Sequence, residues 1–333
     1  NNKLQLAYIK KGRLDVRGQI YNDAIDAFKK ALEIDEKYPI VHKELGEVYY
    51  FTKQYDKMIE EFKKYIALSP GDNKARISLL SMLFANKDYD KCVDEANKGL
   101  QSDPKNPDYY RFVFYSDYEL KRYKDGYDAM KKFMDLPNVT HKPRDIIYAA
   151  RLANSVSDTT LALQLFPQAL ANDSANCELM SEYAKALFVA RHYDEAIAQY
   201  NAKKAKCGDV NSVELYYMGR VYLLLDDSLD ADTTFGEFIK RNPTSPDGYY
   251  WRARTNLKIG KPEDFLSFPY YDKYVEIAGS DPAKYKNNLI EAYDYLGAYY
   301  FEKDKAKSKD YFNKVLELDP NDEFGKEFMK QFR

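Results

Sequence analysis

The sequence predicts an all-α protein built as a stack of helical hairpins, and two observations carry this prediction. Tyrosines recur 34 residues apart at Tyr21, Tyr55, Tyr89 and Tyr123, and the phrase that they open returns at Tyr193. Glycine and proline are sparse, with 14 and 13 copies in 333 residues, which favours long helices over turn-rich strands. A repeat of this length indicates one supersecondary unit that stacks on its neighbours to bury a continuous core.

The repeated phrase, "YDKMIEEFKKYIALSP" at 55–70, is predicted to be the second helix of each hairpin, which we name helix B. Three residues after each tyrosine comes a small or compact residue, and four residues later a larger apolar one follows in most repeats. Spacings of three and four place these residues on one helical face. The phrase is closed by a proline, which ends a helix, at Pro70, Pro104, Pro243 and Pro320.

A second amphipathic helix, helix A, is predicted upstream of each phrase. The segments "ELGEVYY", "YYMGRVYLL" and "YLGAYYF", at 44–50, 216–224 and 295–301, share a glycine that is followed three residues later by tyrosine. A glycine inside a helix costs about 1 kcal/mol, so its presence indicates a close approach of a neighbouring helix.

Two antiparallel helices in 34 residues with these residue types resemble the tetratricopeptide repeat. The match is fullest in Leu45, Gly46, Tyr49, Phe62 and Pro70, and again in Gly219, Tyr222, Ala231, Phe235 and Pro243. The resemblance implies a right-handed α-α superhelix of nine hairpins. Repeats one to four are expected at 1–138 and repeats five to nine at 139–320, with a C-terminal capping helix at 321–333.

Two segments depart from the repeat, at 136–169 and at 262–282. Pro167 and Pro269 both fall where helix B should be uninterrupted, and a proline inside a helix usually kinks it. The second segment also carries five aromatic residues: Phe265, Phe268, Tyr270, Tyr271 and Tyr274. It is either a local bend of the stack or an aromatic surface that docks a partner or a second subunit.

The composition and the motifs speak against several classes of function. With 51 basic and 53 acidic residues the net charge is −2, so no global attraction to nucleic acid or membranes is expected. No apolar run approaches the roughly 18–20 residues of a membrane span. The sequence has no phosphate-binding glycine loop, no nucleophile elbow and no histidine pair with metal-ligand spacing. We therefore expect a protein that is not an enzyme and that holds neither cofactor nor metal.

The resemblance implies that certain helix A positions line a concave groove that binds extended peptides. Four consecutive repeats carry a cation at one such position, with spacings of 34, 35 and 34 residues; these cations, named the ladder here, are Arg151, Lys185, Arg220 and Arg254. Four aromatic residues are expected around them: Tyr118, Phe188, Tyr216 and Tyr250. The ladder can hold a peptide that bears carboxylates, through charge-assisted hydrogen bonds and stacking. Alternatively, its cations pair with neighbouring Asp and Glu on an ordinary solvated face.

The function that follows is a non-catalytic scaffold that binds a protein or an extended, acidic peptide, and a homo-oligomer is left open. The alternative is a structural or carbohydrate-associated component of the cell envelope that makes its contacts through the aromatic residues of 265–274. Salt separates the two hypotheses, because it weakens charge-based binding and leaves apolar docking nearly unchanged.

Two features bear on the compartment. Cys177 starts helix A and Cys207 ends helix B of repeat six, and these ends are neighbours in an antiparallel hairpin, so the two thiols either form a disulfide or stay free. Four tripeptides resemble the short O-glycosylation sites of exported Bacteroidetes proteins: Asp158–Thr160, Asp173–Ala175, Asp227–Leu229 and Asp232–Thr234. They favour the periplasm or cell envelope, with the cytoplasm as the alternative.

Overall fold

The structure, a computed structural model, describes residues 2–332, so Asn1 and Arg333, at the ends of the predicted ranges, lie outside it. Within that range the chain forms nineteen α-helices and one 3-10 helix, and no strand. The helices belong to two compact units, residues 1–165 and 166–333. The boundary between the two units lies inside one helix, Thr159–Asn172. The sequence prediction instead divides the repeats into two groups after residue 138.

Unit 1 contains nine complete helices and the first half of the tenth. They are α1 (Asn2–Arg17), α2 (Tyr21–Ile34), α3 (Pro39–Phe51), α4 (Tyr55–Leu68), α5 (Asn73–Ala85), α6 (Tyr89–Ser102), α7 (Pro107–Glu119), α8 (Tyr123–Met134), α9 (Pro143–Ser155) and α10 (Thr159–Asn172).

Unit 2 continues from the second half of α10. Its helices are α11 (Cys177–Val189), α12 (Tyr193–Cys207), α13 (Ser212–Leu224), α14 (Ser228–Arg241), α15 (Pro246–Ile259), the 3-10 helix Pro262–Asp264, α16 (Phe268–Ala278), α17 (Lys286–Tyr300), α18 (Lys305–Leu318) and α19 (Glu323–Lys330). The order is nine pairs of helices followed by α19, which confirms the predicted all-α fold class and the capping helix.

The repeated tyrosine marks the start of helix B. Tyr21, Tyr55, Tyr89, Tyr123 and Tyr193 are the first residues of α2, α4, α6, α8 and α12. The turn before each of these helices has three residues, and its middle residue lies in the left-handed region, as the φ of 59° at residue 53 shows. The amide of residue 54 then donates to the carbonyl of residue 49, closing a Schellman motif that ends helix A.

The glycine of helix A receives the phenylalanine ring of helix B within the same hairpin. A Cβ atom on Gly46 would lie 2.5 Å from the Phe62 ring, and one on Gly219 would lie 2.7 Å from the Phe235 ring. Both rings are fully buried. The same arrangement occurs at residues 12 and 28 and at residues 297 and 312. The glycine and the phenylalanine of the repeat therefore form one packing unit, which explains why the two residues recur together in the sequence.

The two irregular segments are partly as predicted. Residues 135–142 form a long connection between α8 and α9, and Pro167 lies inside α10. The prediction that Pro269 interrupts helix B was wrong, because α16 begins only at Phe268 and Pro269 is its second residue. A proline is tolerated in the first turn, where its missing amide hydrogen would have no helical partner. Residues 260–267 therefore form a longer connection, and it positions part of the candidate site.

A buried polar cluster holds the end of the long connection in unit 1. Asp145 is fully buried and accepts hydrogen bonds from Arg111 Nε at 3.0 Å, from the Tyr115 hydroxyl and from the backbone amide of Lys142 at 2.7 Å. The Arg111 guanidinium also donates to the carbonyl of Thr140 at 2.9 Å. The cluster ties α7 to α9 and satisfies backbone groups that the connection would otherwise leave unpaired.

Candidate functional site

Three ladder cations lie in unit 2, on consecutive A helices: Lys185 on α11, Arg220 on α13 and Arg254 on α15. The fourth, Arg151, lies on α9 in unit 1, where its guanidinium is 6.0 Å from the centre of the Tyr118 ring. The three ladder cations of unit 2 and the rings around them form the candidate site.

Arg220 is the central cation, and aromatic rings surround it on three sides. Its guanidinium lies 4.6 Å from the centre of the Trp251 ring, 5.3 Å from that of Phe188 and 5.7 Å from that of Tyr216. No carboxylate of residues 2–332 lies within 4.0 Å of it, and its Nε is buried without a hydrogen-bond partner there. Ring faces stabilise a cation by about 0.5–2 kcal/mol but leave its charge uncompensated.

Lys185 and Arg254 extend this arrangement in both directions. Lys185 Nζ lies 5.4 Å from the centre of the Tyr217 ring, which packs edge-on against Phe188. The Arg254 guanidinium lies 5.5 Å from the Trp251 ring, on which Arg220 also rests. The three cations are therefore linked by rings: Tyr217 and Phe188 lie between Lys185 and Arg220, and Trp251 contacts both Arg220 and Arg254. We name this surface, formed by Lys185, Tyr217, Phe188, Arg220, Trp251 and Arg254, the ladder face.

Arg254 is the one of these three cations that has an acidic partner among the described residues. Its Nε lies 3.5 Å from Glu291 Oε1. The same carboxylate accepts hydrogen bonds from the hydroxyls of Tyr250 at 2.8 Å and Tyr271 at 2.6 Å. Burial raises the pKa of Tyr250 to about 12, and the neighbouring Glu291 charge raises it further, so the hydroxyl stays a donor at neutral pH. Glu291 is shared among three donors and neutralises Arg254 only in part.

The sequence hypothesis missed two residues that contact the cations, Tyr217 and Trp251. Each lies three residues before a ladder cation of its own helix and contacts the cation of the preceding repeat. A spacing of three places a residue on the same helical face as the cation, so the signal was present in the sequence. Of the predicted rings, Phe188 and Tyr216 contact Arg220, and Tyr250 lies 5.8 Å from Arg254.

Two concavities adjoin the ladder face. The first, about 400 Å³, is lined by Arg220, Trp251, Arg254, Lys258 and three leucines. The second, about 540 Å³, lies beside the connection 260–267 and is mostly apolar. Leu257 lines both, so the two concavities are neighbours on α15. Together they offer a cationic compartment and an apolar one along a single helix, α15.

Comparison with known proteins tests the family. Sequence models of the family match four stretches: a TPR repeat at residues 7–51, and tetratricopeptide repeats at 44–72, 293–322 and 215–245. The last stretch contains Gly219 and Phe235, and 44–72 contains Gly46 and Phe62. The chain contains tetratricopeptide repeats. No curated protein matches this sequence.

Solved structures of tetratricopeptide-repeat proteins share the fold. The C-terminal part of a TPR repeat-containing protein from Cytophaga hutchinsonii is 24% identical, with a TM-score of 0.61 over 76% of this chain and 98% of that chain. YrrB, described as a TPR protein with an unusual peptide-binding site, is 16% identical, with a TM-score of 0.50 over 56% of this chain and 95% of that chain. At these identities the likeness concerns the fold alone.

The predicted aromatic docking surface is corrected in this tetratricopeptide-repeat structure. Tyr271 and Tyr274 are fully buried in the core of unit 2 and cannot contact a partner. Phe268 stacks on the ring of Tyr299 at 4.0 Å, and Tyr270 lies against the guanidinium of Arg252. Phe265 lines the apolar concavity.

A disulfide joins the two cysteines of the sixth repeat. The Sγ atoms of Cys177 and Cys207 are 2.02 Å apart and the Cα atoms 6.1 Å apart. Of the two predicted alternatives, the structure therefore has the bonded one. The bond links the start of α11 to the end of α12, closing a segment of 30 residues. The third cysteine, Cys92, is free and buried.

The described residues hold no group of three or more His, Cys, Asp or Glu side chains arranged to bind a metal ion. From residue 2 to residue 332, no helix is both long and apolar enough to cross a membrane.

Proposed function

We propose that this chain is a non-catalytic scaffold that binds an extended, acidic peptide segment on the ladder face of unit 2. The tetratricopeptide-repeat fold supports a protein-interaction scaffold, because stacked helical repeats create extended surfaces for partners. The observation that carries the proposal is Arg220, whose charge meets three aromatic rings and, among residues 2–332, no carboxylate within 4.0 Å. A carboxylate from a partner supplies the missing counter-ion.

The ladder face offers more than one contact to such a segment. Neighbouring cations rest on one ring, because Arg220 and Arg254 both contact Trp251. The rings restrict the conformations of the cations, so less side-chain entropy is lost when a carboxylate binds. Glu291 competes for Arg254, which favours Arg220 as the first anchor. The described peptide-binding site of YrrB is in keeping with this use of the fold.

Arg220→Glu is expected to weaken peptide binding about ten-fold to 100-fold, because it removes a charge-assisted contact and adds repulsion. Peptides would be selected from a displayed random library on the wild-type chain, and their affinities measured by fluorescence polarisation. Affinity is also expected to fall as ionic strength rises to about 1 M, where charges are screened beyond about 3 Å.

Lys204→Glu is the matched control, since it makes the same charge change on an exposed residue of α12, away from the ladder face. Circular dichroism establishes that both variants are folded. Equal binding by the wild type and Arg220→Glu would contradict the proposed site, and selected peptides without acidic residues would contradict the proposed ligand.

The alternative function, a structural or carbohydrate-associated component of the cell envelope, is supported by fewer residues than peptide binding is. Of the five aromatic residues that it invokes, Phe265 lines a concavity, while Tyr271 and Tyr274 belong to the core. Contacts through Phe265 would be insensitive to salt and to Arg220→Glu, so the experiment above separates the two functions.

We propose an oxidising compartment, the periplasm or cell envelope, as the place where the scaffold works; the cytoplasm is the alternative. The disulfide between Cys177 and Cys207 supports this proposal, because such bonds persist mainly outside the cytosol. The tripeptides that resemble glycosylation sites add little support for this compartment. The carboxylates of Asp158 and Asp227 accept hydrogen bonds from the first turns of α10 and α14, so these residues already have a structural role as helix caps.

The protein is recovered from its native source, unfolded and then alkylated without reduction. It is expected to carry one alkyl group, on Cys92. Mass spectrometry of the intact chain gives the count. Three alkyl groups would place the chain in a reducing compartment and overturn the proposal.

A further inference from the structure

The connection between α15 and α16 is longer than the others between helices A and B. Its eight residues, 260–267, replace the three-residue turn found at 52–54 and at 225–227. Phe265 has a φ of 50°, an uncommon conformation for a bulky residue that marks a position fixed by its surroundings. Inserted connections on a rigid scaffold often carry function.

This connection is firmly built. The backbone amide of Lys261 donates to the Asp264 carboxylate at 2.9 Å, and the buried Ser267 hydroxyl donates to the carbonyl of Ala253 at 2.8 Å. The Phe265 ring packs edge-on against Tyr299, with ring centres 5.0 Å apart. Hydrogen bonds and ring contacts therefore hold one conformation, and the concavity beside it exists before any ligand binds.

The concavity is large enough, and apolar enough, to receive a bulky apolar side chain. Its volume of about 540 Å³ lies within the roughly 300–1,000 Å³ of ligand sites. Its walls include Leu257 and Leu266, which remain 47% and 42% exposed, together with Phe265. Two leucines in contact with water beside a ring leave apolar surface that a partner's side chain would cover.

Resting on the proposed function, we propose that the acidic partner segment places a Leu-, Ile- or Phe-sized side chain in this concavity, beside a carboxylate held by Arg254 and Arg220. Arg254 and Leu257 are three residues apart on α15 and share one face, about 5 Å apart along the helix axis. An extended peptide advances about 3.3 Å per residue. Because neighbouring side chains of an extended peptide point to opposite sides, the acidic and the apolar residue of the partner lie two positions apart.

The charges around the concavity match this partner. Lys261 lies on its rim with Glu263, and Lys303 Nζ is 4.7 Å from the centre of the Phe265 ring. Lys258, in the adjoining concavity, pairs with Asp226. Counting Arg220 and Arg254, cations outnumber carboxylates along this path. An acidic segment with an apolar anchor is thus the occupant that fits both compartments.

The experiment selects peptides from a displayed random library on the wild-type chain and on three variants. Leu266→Ser removes an apolar wall, and Ala298→Phe fills the concavity from α17 and keeps the test open if Leu266→Ser fails to fold. Leu229→Ser is the control, because Leu229 is 71% exposed on α14 and lines neither concavity.

The wild type is expected to select peptides with an acidic residue and a bulky apolar residue two positions apart. Leu266→Ser and Ala298→Phe should bind these peptides about ten-fold more weakly by fluorescence polarisation, as should a peptide whose apolar residue is replaced by alanine. Leu229→Ser should bind as the wild type does.

Acidic peptides that show no apolar preference, and that Arg220→Glu no longer binds, would overturn this inference and leave the proposed function standing. Peptides whose binding depends on neither Arg220 nor Leu266 would overturn both. A dimer in light scattering that Leu266→Ser dissociates would assign the concavity to a second copy of the chain, and so overturn the inference.

Discussion

Replacing Asp145 by alanine is expected to destabilise unit 1 by about 3–5 kcal/mol, because the change leaves a buried cation without its main partner. Arg111 is 6% exposed, and its Nε donates to both oxygens of Asp145. Its bond to the Asp108 carboxylate at 2.7 Å remains, which places the loss towards the lower end of the range. The Tyr115 hydroxyl and the Lys142 amide lose an acceptor as well.

Urea unfolding followed by circular dichroism measures this loss. Asp145→Asn keeps an acceptor oxygen and should lower the free energy of unfolding less than Asp145→Ala does. Asp128→Ala is the matched control: Asp128 forms an exposed pair with Lys124 on α8, and such pairs contribute about 0.3–0.5 kcal/mol. If Asp145→Ala cost no more than this control, the cluster would not hold the connection in place.

Replacing Phe235 by alanine is expected to destabilise unit 2 by about 3–5 kcal/mol, through lost burial and the cavity that remains. The ring is fully buried and lies against Gly219, where a Cβ atom would be 2.7 Å away. Gly219→Ala alone should cost about 1–3 kcal/mol, because it forces the ring out of place.

The two changes together test whether glycine and ring act as one unit. With the ring removed, Gly219→Ala should no longer destabilise and should recover up to about 1 kcal/mol through its higher helix propensity. The free energies of unfolding of the wild type, both single variants and the double variant complete the cycle. Additive costs would show that the glycine is present for some reason other than the ring.

Features of the fold that repeat were predictable from the sequence. The tyrosine period gave the starts of five B helices, and the Gly46–Phe62 and Gly219–Phe235 pairs gave the packing within hairpins, because every copy repeats the same local physics. Pro269 was misplaced because a proline in the first turn of a helix and one in its middle look alike in a sequence. The length of the preceding connection decides between them, and the connection 260–267 departs from the three-residue turn that precedes the tyrosine-initiated B helices.

The candidate site was predictable in its cations and less so in its rings. The spacing of the cations predicts Arg220 and Arg254, whereas the sequence prediction of the rings names Tyr250 and not its neighbour Trp251. One of the two alternatives for the segment 262–282 places Tyr271 and Tyr274 on the surface, although a spacing of three is equally that of a core stripe. The start of α16 at Phe268 turns this stripe towards the core. The apolar concavity could not be predicted, since it depends on the path of residues 260–267.

Trp251 is the single tryptophan of the chain, and it lies between Arg220 and Arg254. The indole emission of the protein therefore arises from the ladder face and from nowhere else. Any ligand that draws either guanidinium off the ring alters the surroundings of this one fluorophore. The scaffold thus carries a built-in optical probe at the position where a partner is proposed to bind, and occupancy can be followed on the unlabelled chain.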